Sequence, residues 1–256
     1  MRVRDVVCGL MLGLVLCSAD ASAQSSPQSP PQNWQFRVTP YLWGSGVDGQ
    51  VGVGARTADV DASFRNILDH LHIAAMGFGT AERGRFVAMT DAFYTDVRGQ
   101  RATPGPLFSS VSPQQSLFML TPAAGYRVHE TPNGSVDVLG GVRLFRTRTQ
   151  LEFQTGLLPG VNVEGSRTWV DAIAGVSARR SLSDKWWAAA YGDLGGGGSD
   201  FTYQIVANAG FDFSDRYALT LGYRHLGVDY DASDFLMDAT LNGPVVGFMI
   251  TLPRLP

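Results

Sequence analysis

Strict alternation of apolar and polar residues near the C-terminal end of the chain most limits how it can fold. Every second residue is apolar or aromatic from Phe201 to Phe213, and again from Tyr217 to Tyr223. Successive side chains of a β-strand point to opposite faces, so this period predicts two strands joined by a polar turn at 214–216. Each apolar face has aromatic residues at both ends. An ordinary half-buried hairpin has no need of such rings, whereas a membrane-crossing strand places them at the two interfaces.

The same alternation recurs along the chain as hairpins whose tight turns are separated by longer connections. The other predicted strand pairs are 73–81 with 86–97, 117–128 with 136–145, and 169–178 with 186–193. A strand beginning at Trp34 and a last strand at 245–252 bring the total to ten. Short turns at one end and long loops at the other are typical of outer-membrane barrels. We therefore predict an all-β fold, a transmembrane antiparallel up-and-down β-barrel of about ten strands, with eight to twelve compatible with the pattern.

The longer connections of this barrel are predicted from polar or irregular stretches between the paired strands. They cover 98–115, 146–167, 194–200 and 229–238. An even strand count places both termini on one side, which leaves the segment 51–56 outside the ladder, in the first external loop or an inward-folded insertion.

An amphipathic helix is predicted next to that segment, at residues 62–71, with Asp61 or Ser63 as its cap. Its apolar stripe consists of Phe64, Ile67, Leu68 and Leu71. This stripe is costly to leave in water, so we predict that the helix folds into or over the barrel mouth as a plug that limits passage. The alternative is that the stripe lies on the membrane interface as a peripheral anchor.

The N-terminal residues have the features of a secretory signal. Arg2 and Arg4 precede an apolar stretch at 6–17 that is too short to span a bilayer, and an Ala-Ser-Ala cleavage site follows at 21–23. We assign 1–23 to a signal peptide, 24–32 to a disordered leader and 33–256 to the barrel domain. A lipoprotein signal at Cys17 is disfavoured by the large Leu16 before it. Both cysteines lie in the signal, which leaves no disulfide framework.

Charged residues occupy the alternate positions that would face the lumen if the apolar positions face lipid. They are Arg37, Asp91, Arg127, Arg143, Asp171, Asp193 and Arg224. One interpretation is a selectivity constriction in which arginines face aspartates. The other, which we favour, is a structural core of ion pairs, because a narrow barrel forces desolvated charges to pair.

Nothing in the sequence indicates catalysis, a cofactor, a metal site or nucleic-acid binding. His70, His72, His129 and His225 have no serine or carboxylate at a spacing typical of a catalytic pair. The glycines at 195–198 are followed neither by Lys-Ser/Thr nor by a helix, so they do not form a phosphate loop. Net charge is −3 and Lys185 is the single lysine, which argues against a nucleic-acid surface.

Several motifs together resemble an uncharacterised family of Gram-negative outer-membrane β-barrel proteins of porin-like build. They are TPYLWGSGVDG (39–49), DASFRNILDHL (61–71), Asp91 with Tyr94, GDLGGGGSD (192–200), LGYRHLGVDY (221–230) and GPVVG (243–247). The resemblance implies an outer-membrane location, with contacts to outer-membrane lipid, lipopolysaccharide and the barrel-assembly machinery. One departure concerns the end of the chain, where Leu252 stands in place of the terminal aromatic residue that such barrels usually carry.

On these grounds the expected function is that of a porin-like or structural barrel without a catalytic centre. The alternatives are a barrel enzyme acting on lipid or lipopolysaccharide, and an adhesin that uses the external loops.

Overall fold

The structure is a computed structural model that describes residues 33–53, 56–99, 101–102, 108–232 and 235–254. The predicted signal peptide at 1–23 and the leader at 24–32 lie outside the described residues.

Strands dominate the described part of the chain. They are β1 (Gln35–Trp43), β2 (Gly46–Val53), β3 (Arg56–Ala62), β4 (Leu71–Arg83), β5 (Phe86–Arg98), β6 (Arg101–Ala102), β7 (Phe108–Thr131), β8 (Gly134–Thr155), β9 (Val161–Ser181), β10 (Trp186–Gly196), β11 (Phe201–Asp212), β12 (Tyr217–Ala232) and β13 (Phe235–Thr251). A short helix, α1 (Phe64–Asp69), lies between β3 and β4.

Ten of these strands form a closed antiparallel barrel, as the sequence predicts. The order around the wall is β1, β4, β5, β7, β8, β9, β10, β11, β12 and β13, and β13 pairs with β1 to close it. The closing register sets Arg37 opposite Thr251 and Trp43 opposite Val245. β1 therefore begins, and β13 ends, at the end of the barrel that carries the short turns. This end is called here the turn end, and the opposite end is called the loop end.

The tight turns have the predicted positions, and one of them requires a glycine. β4 and β5 are joined by Gly84 and Arg85, and Gly84 has a φ of 59°. That left-handed conformation is favoured in two-residue hairpin turns and strains most other residues.

Three of the predicted long loops are wrong, because the strands continue through most of them. β8 and β9 pair out to Phe153 opposite Val161, and β12 and β13 pair out to Ala232 opposite Phe235. Polar residues dominate the outer parts of β8 and β9, as expected for hairpin arms in water, whereas the outer parts of β12 and β13 keep inward apolar residues such as Val228 and Tyr230. The sequence prediction took all of these stretches as loops.

β2 and β3 form a hairpin outside the ten-strand ladder, in agreement with the parity argument for 51–56. β2 continues β1 along the same edge of β13, with Gly46 opposite Asn242 and Val53 opposite Phe235. β3 then folds back on the other side of β2. Among the described residues, no helix is long and apolar enough to cross a membrane.

The wall has a seam between β1 and β4 in its loop-end half. Their pairing ends at Pro40 opposite Gly77. Among the described residues, the part of β4 before Gly77 pairs with β5 but not with β1. Proline cannot donate to a ladder, and the pairing of β1 with β13 on the other side is interrupted at Thr39 and Pro40. Beyond that point the side chain of Met76 partly fills the seam, and its sulfur accepts the backbone N–H of Trp43 at 3.2 Å.

The outer face carries an apolar band with an aromatic girdle at the turn end. Exposed rings there include Phe86, Tyr126, Trp186, Tyr217 and Phe248. Neighbouring rings are in contact across strands, with centroids 4.9 Å apart for Trp186 and Phe211 and 5.7 Å apart for Tyr217 and Phe248. Rings at this level are suited to the membrane–water interface of a transmembrane barrel.

Candidate functional site in the barrel lumen

The lumen is built in layers, and the first layer at the turn end is a chain of ion pairs called here the mouth cluster. It consists of Arg37, Glu82, Arg127 and Asp137. Glu82 pairs with both Arg37 and Arg127, and Arg127 also donates from Nε to Asp137 at 2.8 Å. Every carboxylate of the mouth cluster thus has a guanidinium partner, as half-buried charges require.

The second layer, called the central cluster, has Arg224 as its hub. The guanidinium donates from Nη1 to the hydroxyl of Tyr41 at 2.8 Å and from Nη2 to Gln204 at 2.6 Å, and Nη2 lies 2.7 Å from Asp91. Tyr41 in turn donates to Asp91 at 2.7 Å. Arg224 and Asp91 are 3% and 4% exposed, so this network lies out of contact with bulk water.

Arg143 forms the other half of the central cluster. Its guanidinium donates from Nη2 to Asp193 at 2.6 Å and from Nη1 to the hydroxyl of Thr202 at 3.1 Å. Nε also lies 3.4 Å from the hydroxyl of Thr121. The side chains of Arg143 and Asp193 have no exposed surface, so this pair is packed on every side.

A cluster of inward-facing aromatic residues forms the third layer, nearest the loop end. This aromatic cluster comprises Trp43, Phe93, Phe145, Trp169 and Tyr230. The rings of Phe145 and Trp169 stack at 5.1 Å, and those of Trp169 and Tyr230 lie 4.4 Å apart. The guanidinium of Arg224 lies 4.5 Å from the ring of Trp43, so the central cluster packs directly against the aromatic cluster.

Sequence reasoning missed the aromatic cluster because it assigned apolar alternates to lipid throughout. In the loop-end half, apolar residues stand at inward positions as well, for example Met119 and Val228, which are 1% and 0% exposed. The same period-two signal that located Asp91 would have placed Phe93 on the inner face.

All seven charges that the sequence placed in the lumen lie on inward-facing positions, but they do not form one ring. Arg37 and Arg127 belong to the mouth cluster, and Asp91, Arg143, Asp193 and Arg224 belong to the central cluster. Asp171 stands apart, since its carboxylate accepts the backbone N–H groups of Gly198 and Ser199 at 3.0 and 2.6 Å. It therefore anchors the β10–β11 loop. Glu82, Asp137 and Tyr41 are partners that the sequence analysis did not single out.

Helix α1 lies on the outside of the wall, at the level of the seam, which does not agree with the predicted plug. Ser63 caps it by accepting the N–H of Asn66 at 3.4 Å. Gly44 faces outward, because its neighbours Trp43 and Ser45 are both buried. A Cβ placed on Gly44 would lie 3.5 Å from the ring of Phe64, so the helix lies against the outer face. No helix residue is buried, and Phe64 and Leu68 are 42% and 50% exposed.

The apolar stripe therefore faces the outer surface, as the membrane-anchor alternative requires. Leu71, the last residue of the predicted stripe, belongs to β4 instead of the helix. Arg143 and Asp171, which the plug would have needed as charged partners, are both 0% exposed and are already used inside the lumen and its loop.

The described histidines are not gathered at one place. His225 lies on the outer face, where Nε2 is 2.7 Å from the hydroxyl of Tyr203. His70 contacts the carbonyl of Asn66 within α1, and His72 is exposed at the start of β4. Within the described ranges, no three His, Cys, Asp or Glu side chains come together as a metal ion would need.

No family model and no curated protein matches this sequence. Solved structures similar to it in fold include the outer membrane protease OmpT from Escherichia coli, which is 9% identical with a TM-score of 0.52 over 87% of this chain and 97% of OmpT. The translocator domain of the autotransporter NalP from Neisseria meningitidis is 16% identical, with a TM-score of 0.43 over 84% and 88% of the two chains. An outer membrane channel from Pseudomonas putida F1 is 9% identical, with a TM-score of 0.40 over 90% and 100%.

Of these three likenesses, the one to OmpT has a TM-score high enough to support an argument, and at 9% identity it concerns the fold alone. It agrees with the closed ten-strand wall, the apolar outer band and the aromatic girdle. Together these observations identify the chain as an outer-membrane β-barrel protein.

Proposed function

We propose that, of the porin-like and structural alternatives, this protein is a structural barrel whose lumen is closed to solutes and which has no catalytic centre. The observation that carries the proposal is the packing of the central cluster against the aromatic cluster. Arg143 and Phe145, successive inward residues of β8, are 0% and 1% exposed, and Met119 beside them is 1% exposed. Open pores keep their charged rings in water, because an ion must exchange its hydration shell for the groups that line the path.

Each arginine of the central cluster forms an ion pair with a buried aspartate, which supports a structural role for these charges. Arg224 has three polar partners and Arg143 has three. Buried charges that each have an opposite charge beside them need no ligand to account for their presence.

Conductance in a planar lipid bilayer tests this proposal. The purified, heat-modifiable barrel should give no steady channel in concentrated salt. A double variant, Phe145→Gly with Trp169→Gly, removes the stacked pair of rings and should conduct more than wild type. The variant also serves as the control for insertion. Steady, uniform channels from the wild-type protein would overturn the proposal.

A further inference from the structure

A cavity of about 330 Å³ lies in the lumen between the mouth cluster and the central cluster. Apolar side chains such as Phe78, Val87, Met89 and Leu139 line it together with hydroxyl and amide groups. The central cluster and the aromatic cluster close it towards the loop end. At the turn end it shares Arg37, Arg179 and Met249 with a second, outer pocket, so the cavity communicates with that side of the barrel. This volume is at the lower end of the range of small-molecule sites.

The charges that line the cavity do not balance. Four arginines (Arg37, Arg127, Arg179 and Arg224) face three carboxylates (Glu82, Asp91 and Asp137). The mouth cluster and the Arg224–Asp91 pair use all three carboxylates. Arg179 is the remaining cation, and among the described residues no carboxylate oxygen lies within 4 Å of its guanidinium.

Arg179 is also held in one orientation. Its guanidinium carbon lies 3.6 Å from the centre of the Trp187 ring, which is 4% exposed. The indole of Trp187 donates to Asp212 at 3.0 Å, and the negative charge of this carboxylate also attracts Arg179 without forming an ion pair with it. On the other side the ring rests on Gly210, where a Cβ would come within 2.1 Å of it. The stacked arginine keeps its N–H edge for hydrogen bonding, since stacking uses only the face of the guanidinium.

We propose that this cavity binds a small organic anion with an apolar body. The carboxylate or sulfonate group of the ligand pairs with Arg179 on the Trp187 platform, and the apolar body occupies the space between Phe78, Met89 and Leu139. A charge-assisted hydrogen bond to the partly buried guanidinium of Arg179 supplies the selectivity for an anion over a neutral molecule of the same shape. The ligand enters from the turn end, because the central and aromatic clusters close the other end.

Calorimetric titration of the full barrel in lipid nanodiscs tests the proposal with two matched probes. Naphthalene-2-carboxylate should bind saturably, and naphthalene-2-carboxamide should bind more weakly. Arg179→Gln should weaken binding of the carboxylate by about ten- to a hundredfold, the usual cost of one charged hydrogen bond, and leave the carboxamide unaffected. Empty nanodiscs give the contribution of partition into lipid.

Arg216→Gln is the matched control, since Arg216 lies on the exposed β11–β12 turn at the same end of the barrel. It should bind the carboxylate as the wild type does, and heat-modifiable migration should show that both variants are folded. Absence of saturable binding to the wild type, or equal affinity of wild type and Arg179→Gln, would overturn the proposal. Neither outcome bears on conductance, so this site and the closed lumen are tested separately.

Discussion

Arg224 illustrates how much a single side chain contributes to this lumen, because three elements of the wall meet at its guanidinium. Tyr41 comes from β1, Asp91 from β5 and Gln204 from β11. Removing the guanidinium of a buried ion pair leaves the carboxylate as an unpaired buried charge. This destabilises the folded state more than replacing both members of the pair.

Arg224→Met should therefore destabilise the barrel by about 3–5 kcal/mol, and adding Asp91→Asn should restore most of that loss because no buried charge remains unpaired. Urea unfolding followed by tryptophan fluorescence measures both changes. Arg216→Met, on the exposed turn, is the control and should change the free energy of unfolding by less than about 0.5 kcal/mol. If the double variant is no more stable than Arg224→Met alone, the pairing does not account for the cost.

Period-two alternation was enough to find the charged residues of the lumen but not to pair them. Arg143 stands directly opposite Asp171 on the neighbouring strand β9, which makes that pair the obvious choice. The structure pairs Arg143 with Asp193 on β10 instead, one strand farther round the wall. Barrel curvature decides which inward side chains converge, and that curvature depends on the register of all ten strands. Alternation within a single strand contains no such information.

Helix α1 shows the same division at the scale of one element. The spacing of Phe64, Ile67 and Leu68 predicted a helix, and Ser63 is one of the two caps the sequence offered. The apolar stripe indicates that one face of the helix packs against another surface, but it does not identify that surface. The helix packs at Gly44, which is held beside Pro244 by pairing between opposite ends of the chain.

Replacing residues 61–70 with a short Gly-Ser linker should leave the conductance of the barrel unchanged, because α1 lies outside the wall. The measurement is single-channel recording of the purified deletion variant next to wild type, with heat-modifiable migration as the check on folding. A rise in conductance would restore the plug hypothesis.

The same variant should bind less well to lipid surfaces if the exposed Phe64 and Leu68 serve as an anchor.

For the whole molecule, hairpin parity predicted the ten-strand barrel correctly, since each hairpin reports its own turn and strands. What parity could not show was the length of the arms or the seam at Pro40. Those features depend on pairing between strands that are distant in sequence, such as β1 with β13.

The membrane-facing band can be tested by introducing a charge at each of two valines of similar exposure. Val246 lies on the outer face of β13 between Leu42 and Leu221, whereas Val163 lies on the polar arm of β9. Val246 is 44% exposed and Val163 is 51% exposed. Val246→Arg should destabilise the barrel in lipid by about 2–4 kcal/mol, and Val163→Arg should have almost no effect. Urea unfolding in lipid vesicles measures both, and equal costs would contradict the assigned position of the membrane.

The pairing of the first strand with the last also has a kinetic consequence. The side chain of Gln35 donates to the carbonyl of Leu252 at 3.0 Å, across 217 residues of chain. Contacts this distant in sequence slow folding, because the loop-closure entropy is lost before the contact stabilises anything. β1 therefore keeps an open edge until β13 arrives, and open edges are templates for misassociation. We expect closure at β1–β13 to limit the rate of folding. The open edge of β1, which is synthesised first, is therefore covered only when β13, which is synthesised last, pairs with it.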